Sequence, residues 1–166
     1  MNKNDRTLAD DFGEAGRERR IDKIWLVMGK PAEERIQAFA DLKLHYKEYK
    51  EATALINKRK FICIPFDLLL QEIIKPTTDL FSAAQRKKLV PLAVRLQENE
   101  NLPNEKKVSD LAGLKEQYKK SANAVKLIDR AAFHLPDAAK APEISNPKTN
   151  LFSSRTIADY RNQYKI

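Results

Sequence analysis

Residues 31–60 read PAEERIQAFADLKLHYKEYKEATALINKRK, and the reading of this stretch decides the fold class. Phe39, Leu42, Tyr46, Tyr49, Thr53 and Ile56 recur at steps of three and four, the spacing that aligns side chains along one side of an α-helix. Pro31 suits a first helical turn, and Glu33 and Glu34 complement the positive end of the helix dipole. The pattern predicts one long helix over about 31–60 with an unbroken apolar seam, which needs a partner of similar length. Residues 105–135 supply one, with Leu111, Leu114, Tyr118, Ser121, Val125, Ile128, Ala132 and Leu135 at the same spacing. The expected core is an antiparallel pair of long helices burying Leu42, Tyr49, Leu114, Tyr118 and Val125, with Ser121 and Ala122 making room for the rings of Tyr46 and Tyr49.

Outward from this pair, Ile21, Ile24, Trp25 and Met28 mark a helix over about 17–28 that Gly29 and Pro31 end. Pro65, Pro76, Pro91 and Pro103 cut the middle of the chain into shorter pieces, because proline lacks the amide donor and restricts the residue before it. A helix is expected at 66–74, then a cap at Thr77-Thr78-Asp79, then a helix from Asp79 to about Glu98, kinked or broken at Pro91. After Leu135 the prolines 136, 142 and 147 read as an irregular arm. It ends in an amphipathic segment over 154–164 with Ile157, Tyr160 and Tyr164 on one side. No internal repeat is evident. The expectation is an all-α, single-domain helical bundle over 1–135, followed by an irregular basic C-terminal arm over 136–166.

Composition narrows the function classes. The 166 residues carry only four glycines and 33% charged residues, which argues against β-sandwiches and glycine-rich phosphate-binding enzymes. One cysteine, Cys63, and two distant histidines, His45 and His134, do not make a zinc ligand set. Cys63, in an apolar stretch, reads as a buried inert thiol, and the two histidines as half-buried structural residues. Walker, dinucleotide, zinc-protease, EF-hand and Gly-x-Ser-x-Gly patterns are absent from the sequence. Ser145-Asn-Pro-Lys148 has the bare Ser-x-x-Lys spacing but lies in the proline-rich arm. The reading is therefore of a non-enzyme with no cofactor, no metal and no transmembrane segment, and with a polar start that predicts a cytoplasmic location.

Charge supplies the only directional hint. The chain has 31 Lys+Arg against 23 Asp+Glu, a net charge of +8, and the excess falls within 29–60, 101–135 and 136–166. On a continuous helix Lys43, Lys47 and Lys50 share a face. Arg86, Lys87 and Lys88 form a cluster, Lys115 and Lys119 lie one turn apart, and the arm carries Arg155 and Arg161 beside Tyr160 and Tyr164. These twelve residues are the expected partner-binding set, and the expected partner is a more acidic protein. Peripheral membrane contact is left open.

Residues 7–24, TLADDFGEAGRERRIDKI, resemble the helix-turn-helix of the sigma-factor region that reads promoter elements, through an Ala, a Phe-Gly turn and an Arg-Glu-Arg before a buried Ile. Glu14 and Gly16 depart from that pattern. The resemblance implies nucleic-acid binding, with Arg17, Arg19 and Arg20 facing the groove. The leading expectation is a helical interaction module, such as an adaptor, inhibitor or accessory protein; the alternative is a nucleic-acid-binding protein using its basic helix faces.

Overall fold

The structure is a computed structural model that describes residues 26–165; the expected Trp25 helix core, the helix-turn-helix and Arg17, Arg19 and Arg20 lie outside the described residues. All regular structure among these residues is helical. Residues 26–28 form a helical end, and eight helices follow: α1 (Ala32–His45), α2 (Lys50–Cys63), α3 (Phe66–Ile74), α4 (Ala83–Glu100), α5 (Asn104–Gln117), α6 (Ala122–Phe133), α7 (Asp137–Ser145) and α8 (Ser154–Tyr164). The chain divides into two compact units, one ending at Ser82 and the other running from Ala83, and not at 135/136.

Neither long helix exists. The segment 31–60 breaks at Tyr46–Tyr49, where the Tyr46 N–H closes α1 on the Leu42 carbonyl and the Tyr49 N–H donates to the Tyr46 carbonyl at 2.9 Å. Tyr49 is extended and starts α2, which packs back on α1. The same turn recurs at Tyr118–Ser121: Tyr118 N–H to Leu114, Ser121 N–H to Tyr118, and α6 packed on α5. Each predicted long helix is thus a pair of helices folded on itself. Within unit 1, α3 packs on α1; within unit 2, α7 packs on α5 and α8 on α7, while α4 packs on α5 and α6.

Of the five expected core residues, Leu114 is buried, whereas Leu42, Tyr49, Tyr118 and Val125 are half-buried. Tyr46 is buried instead, and its carbonyl accepts the Thr53 hydroxyl at 3.1 Å across the turn. The expected arm is also ordered helix. In α7, Ala139, Lys140, Glu143 and Ile144 are buried despite Pro142, and Phe152 and Tyr160 pack edge to face at 5.7 Å. Helix α4 runs through Pro91 and starts at Ala83, later than expected, because Thr77–Asp79 belong to a turn built on α3. His45 and His134 are exposed at helix ends, where a polar ring meets water and the negative pole of the helix.

The two units are copies of one design, which overturns the expectation of no repeat. Pro31 corresponds to Pro103, Leu42-Lys43 to Leu114-Lys115, and Tyr46-Lys47 to Tyr118-Lys119. After a one-residue deletion before Leu135, Pro65 corresponds to Pro136, Glu72-Ile73 to Glu143-Ile144, and Thr78-x-Leu80-Phe81-Ser82 to Thr149-x-Leu151-Phe152-Ser153. The helix limits follow this register from α1–α3 to α5–α7, and paired positions such as Phe39 and Leu111, Ile56 and Ile128, and Leu80 and Leu151 are buried in both. Four of these six helices, α1, α3, α5 and α7, start directly after a proline in extended conformation, whose ring presets the backbone and whose missing N–H is not needed there.

Candidate functional site

Among the described residues, two buried carboxylates hold turns together. The Glu72 side chain, 3% exposed, turns back from the end of α3 and accepts the backbone amides of Thr77 and Thr78 and both their hydroxyls, at 2.7–3.1 Å. Glu143 does the same at the end of α7, accepting from the Lys148 and Thr149 amides and the Thr149 hydroxyl. A carboxylate is suited to this because it offers several acceptor positions to converging donors, which offsets the cost of burying charge. Thr78 and Thr149 then each accept the N–H two residues on, from Leu80 and Leu151. A lysine of the first helix of each repeat, α1 or α5, closes the turn: Lys43 Nζ donates to the Asp79 and Leu80 carbonyls, and Lys115 Nζ to the Leu151 carbonyl. Burial lowers the Lys43 pKa from the ordinary lysine value, with the charge of Asp79 acting in the opposite sense.

This geometry sorts the twelve expected partner-binding residues. Lys43 and Lys115 are committed to the turns, and Lys115 also pairs with Asp129 at 2.8 Å. Arg161 donates to the Ile144 and Ser145 carbonyls at the end of α7, Tyr164 donates to Asp137 at 2.6 Å, and Tyr160 is buried. These three fasten α8 to α7. Lys47, Lys50, Lys87, Lys88, Lys119 and Arg155 are exposed, and Arg86 is half-buried on α4. Lys43, Lys47 and Lys50 do not share a helical face, because the chain turns between them at Tyr46–Tyr49. Lys47 and Lys119, in contrast, occupy the same place in the two inter-helix turns.

Sequence reading missed Lys60, Glu72, Asn99, Lys140 and Glu143, all buried. Asn99 ties α4 to α5, donating to the Lys107 carbonyl and to Asp110, which Arg95 also meets at 2.9 Å. Lys140 Nζ donates to the Phe133 carbonyl at 2.7 Å and lies 4.9 Å from the Tyr160 ring centre, and burial pushes its pKa down while Asp137 opposes the shift. The signal that could have found the two glutamates is the repeated Glu-Ile-x-x-Pro-x-Thr-x-Leu-Phe-Ser string.

Two concavities lie within unit 2. A cleft of about 550 Å³ between α5 and α7 includes Glu105, Val108, Ser109, Pro142 and Glu143 in its walls. A smaller cavity of about 240 Å³ lies beside α6 and α8, against Asp129, Ala132, Leu151, Phe152 and Tyr160. Among the described residues no group of three or more His, Cys, Asp or Glu side chains is placed to hold a metal ion, and no helix is long and apolar enough to cross a membrane. The Cys63 side chain is buried. No family model, no curated protein and no solved structure matches this chain.

Proposed function

We propose that this protein is a non-enzymatic helical interaction module of a reducing, cytoplasmic setting, in which a duplicated three-helix design presents basic turns to a more acidic protein partner. The observation that carries the reading is the pairing of Lys47 with Lys119: two exposed lysines at the same point of two copies of one scaffold, with Lys50 and Lys120 close in sequence and also exposed. Duplicated helical units are scaffolds whose inward positions repeat for packing while outward positions are free to meet a partner. Glu72 and Glu143, the buried carboxylates, are bonded within their own turns, a structural use of the groups an acid–base mechanism would need. The Lys119–Glu116 pair is between exposed groups and costs little to exchange for a partner's carboxylate.

The test is the joint reversal of Lys47, Lys50 and Lys119 to Glu, with capture of partners from the native cytosol by wild type and variant, each with and without nuclease. The expected result is a nuclease-resistant partner lost by the variant while its helical circular dichroism is unchanged. A partner retained by the variant removes these lysines from the interface. Capture that nuclease abolishes, and that falls steeply with salt, identifies a nucleic acid as the partner instead.

A further inference from the structure

The two units differ at one buried position in a way that points to a ligand. In unit 1 Lys60, in the last turn of α2, is fully buried. Its Nζ donates to Asn57 Oδ1 at 3.1 Å and to the Leu80 carbonyl at 3.4 Å, and lies 4.2 Å from the Phe81 ring centre. The repeat register places Asp129, Leu151 and Phe152 at these three partners in unit 2, and Ala132 at the lysine. The cavity of about 240 Å³ lies against those same four residues. With a water taking about 30 Å³ of liquid, it has room for a four-carbon ammonium chain and residual water. Its flank is open: Phe61 is buried edge to face on Phe81 at 5.9 Å, but its counterpart Phe133 is 64% exposed.

We propose that this cavity binds a primary alkylammonium group on an aliphatic stem, the group that Lys60 supplies internally in unit 1. The lining has the chemistry for it: a carbonyl oxygen, a side-chain oxygen and an aromatic face that attracts a cation. Lys115, itself in the cavity wall and already donating to the Asp129 carboxylate and the Leu151 carbonyl, does not forbid a second cation. In unit 1 two ammonium groups, Lys43 and Lys60, already donate to the single Leu80 carbonyl. Unit 2 is more favourable, since the neutral Asn57 is replaced by the carboxylate of Asp129, which can accept a second donor beside Lys115. Lys140, the other nearby ammonium, is bonded to the Phe133 carbonyl at the end of α6 and does not line the cavity. The proposal is independent of the acidic-partner reading, because it concerns a single cavity within unit 2.

The experiment uses the full chain and follows the Ala132 and Leu151 methyl signals by NMR during titration with n-butylammonium, with Nα-acetyl-lysine N-methylamide, and with n-butanol as the uncharged control. Both ammonium probes are expected to give saturable shifts and butanol none, and Asp129→Asn is expected to weaken binding by about tenfold through loss of a charge-assisted bond. Tighter binding of the lysine derivative assigns the site to a lysine side chain of a polypeptide; equal or weaker binding assigns it to a free alkylamine. Ala132→Lys should fill the cavity from within and abolish the shifts. Ala132→Leu, which fills it without charge, serves if the lysine variant does not fold. In the reverse direction, Lys60→Ala should lower the melting temperature, and n-butylammonium but not butanol should restore part of it. Absence of a saturable shift with either ammonium probe, or binding that both filling variants leave unchanged, overturns the proposal.

Discussion

The Glu72 carboxylate accepts both the backbone amide and the hydroxyl of Thr78, at 2.8 and 2.7 Å, so that one glutamate at a helix end fixes the conformation of the turn that leaves it. Glu143 and Thr149 repeat the arrangement at 2.8 and 2.7 Å in the second unit. Two independent occurrences of this contact, with four donor groups on Glu72 and three on Glu143, mark it as the device that sets the direction of the chain after α3 and α7. It also places the Leu80 and Leu151 carbonyls where Lys43 and Lys115 reach them.

Removing one partner of this contact should be costly in either unit. Glu143→Gln leaves amide donors facing a group that can no longer accept them all, and Thr149→Val removes a donor and the acceptor used by the Leu151 amide. Each is expected to destabilise by about 1–3 kcal/mol, the usual penalty for stranding buried polar groups. Urea unfolding of the two single variants and the double variant should give a sum larger than the double, since the two side chains share one network.

The core should respond by depth and not by membership of the apolar seam. Leu114, 4% exposed, is expected to cost about 2–5 kcal/mol on truncation to alanine. Leu42 occupies the equivalent register but is half-buried, and its truncation should cost under about 2 kcal/mol. Equal losses measured by chemical denaturation would show that the two units bury this position alike.

A chain ending at Leu135 tests whether the last thirty-one residues are an arm or part of the second unit. Such a chain lacks α7 and α8, and with them the buried Ile144, Leu151, Phe152 and Tyr160. It is expected to lose the fold of α4–α6 as well, seen as a helical circular dichroism signal lower than the deleted residues account for and as protease cleavage within 83–135. Retention of that signal would show that α4–α6 stand alone.

Alkaline pH should loosen α8. The Tyr164 phenol donates to Asp137 Oδ1, and this bond first, then burial and the charge of Asp137, raise its pKa above the ordinary tyrosine value. The folded state therefore holds this proton more tightly than the unfolded chain does. The resulting stabilisation is complete below the ordinary value of about 10 and is lost as pH rises through the folded value. Denaturation series from about pH 8 to about pH 11 should show a steeper alkaline loss for the wild type than for Tyr164→Phe. Tyr160, raised by burial first and by Asp137 second, remains in both.

Much of the helical content was legible in the sequence for local reasons. Three-and-four spacing of apolar residues, prolines that preset helix starts and the short apolar run after Pro65 placed α3 at Phe66–Ile74 and α8 at Ser154–Tyr164, with the same limits in the structure. The burial of Cys63 followed from its apolar neighbours. The candidate site was not legible in this way, because a buried Lys60 and an exposed Lys58 look alike in a charge count.

What the tertiary structure alone decided is where the helices turn and which charges are used. Tyr46-Lys47-Glu48-Tyr49 contains no Gly or Pro, and the apolar step of three and four runs across it unbroken, so no local signal separates a long helix from two short ones. The chain folds back because α1 and α2 bury their apolar sides on each other, with the Thr53 hydroxyl capping the Tyr46 carbonyl across the turn. That gain is non-local, and helix propensity does not contain it. The same holds for Lys43 and Lys115: sequence gives them a charge, but only the Glu72 and Glu143 turns bring carbonyl oxygens within their reach, and this converts two expected partner contacts into internal bonds.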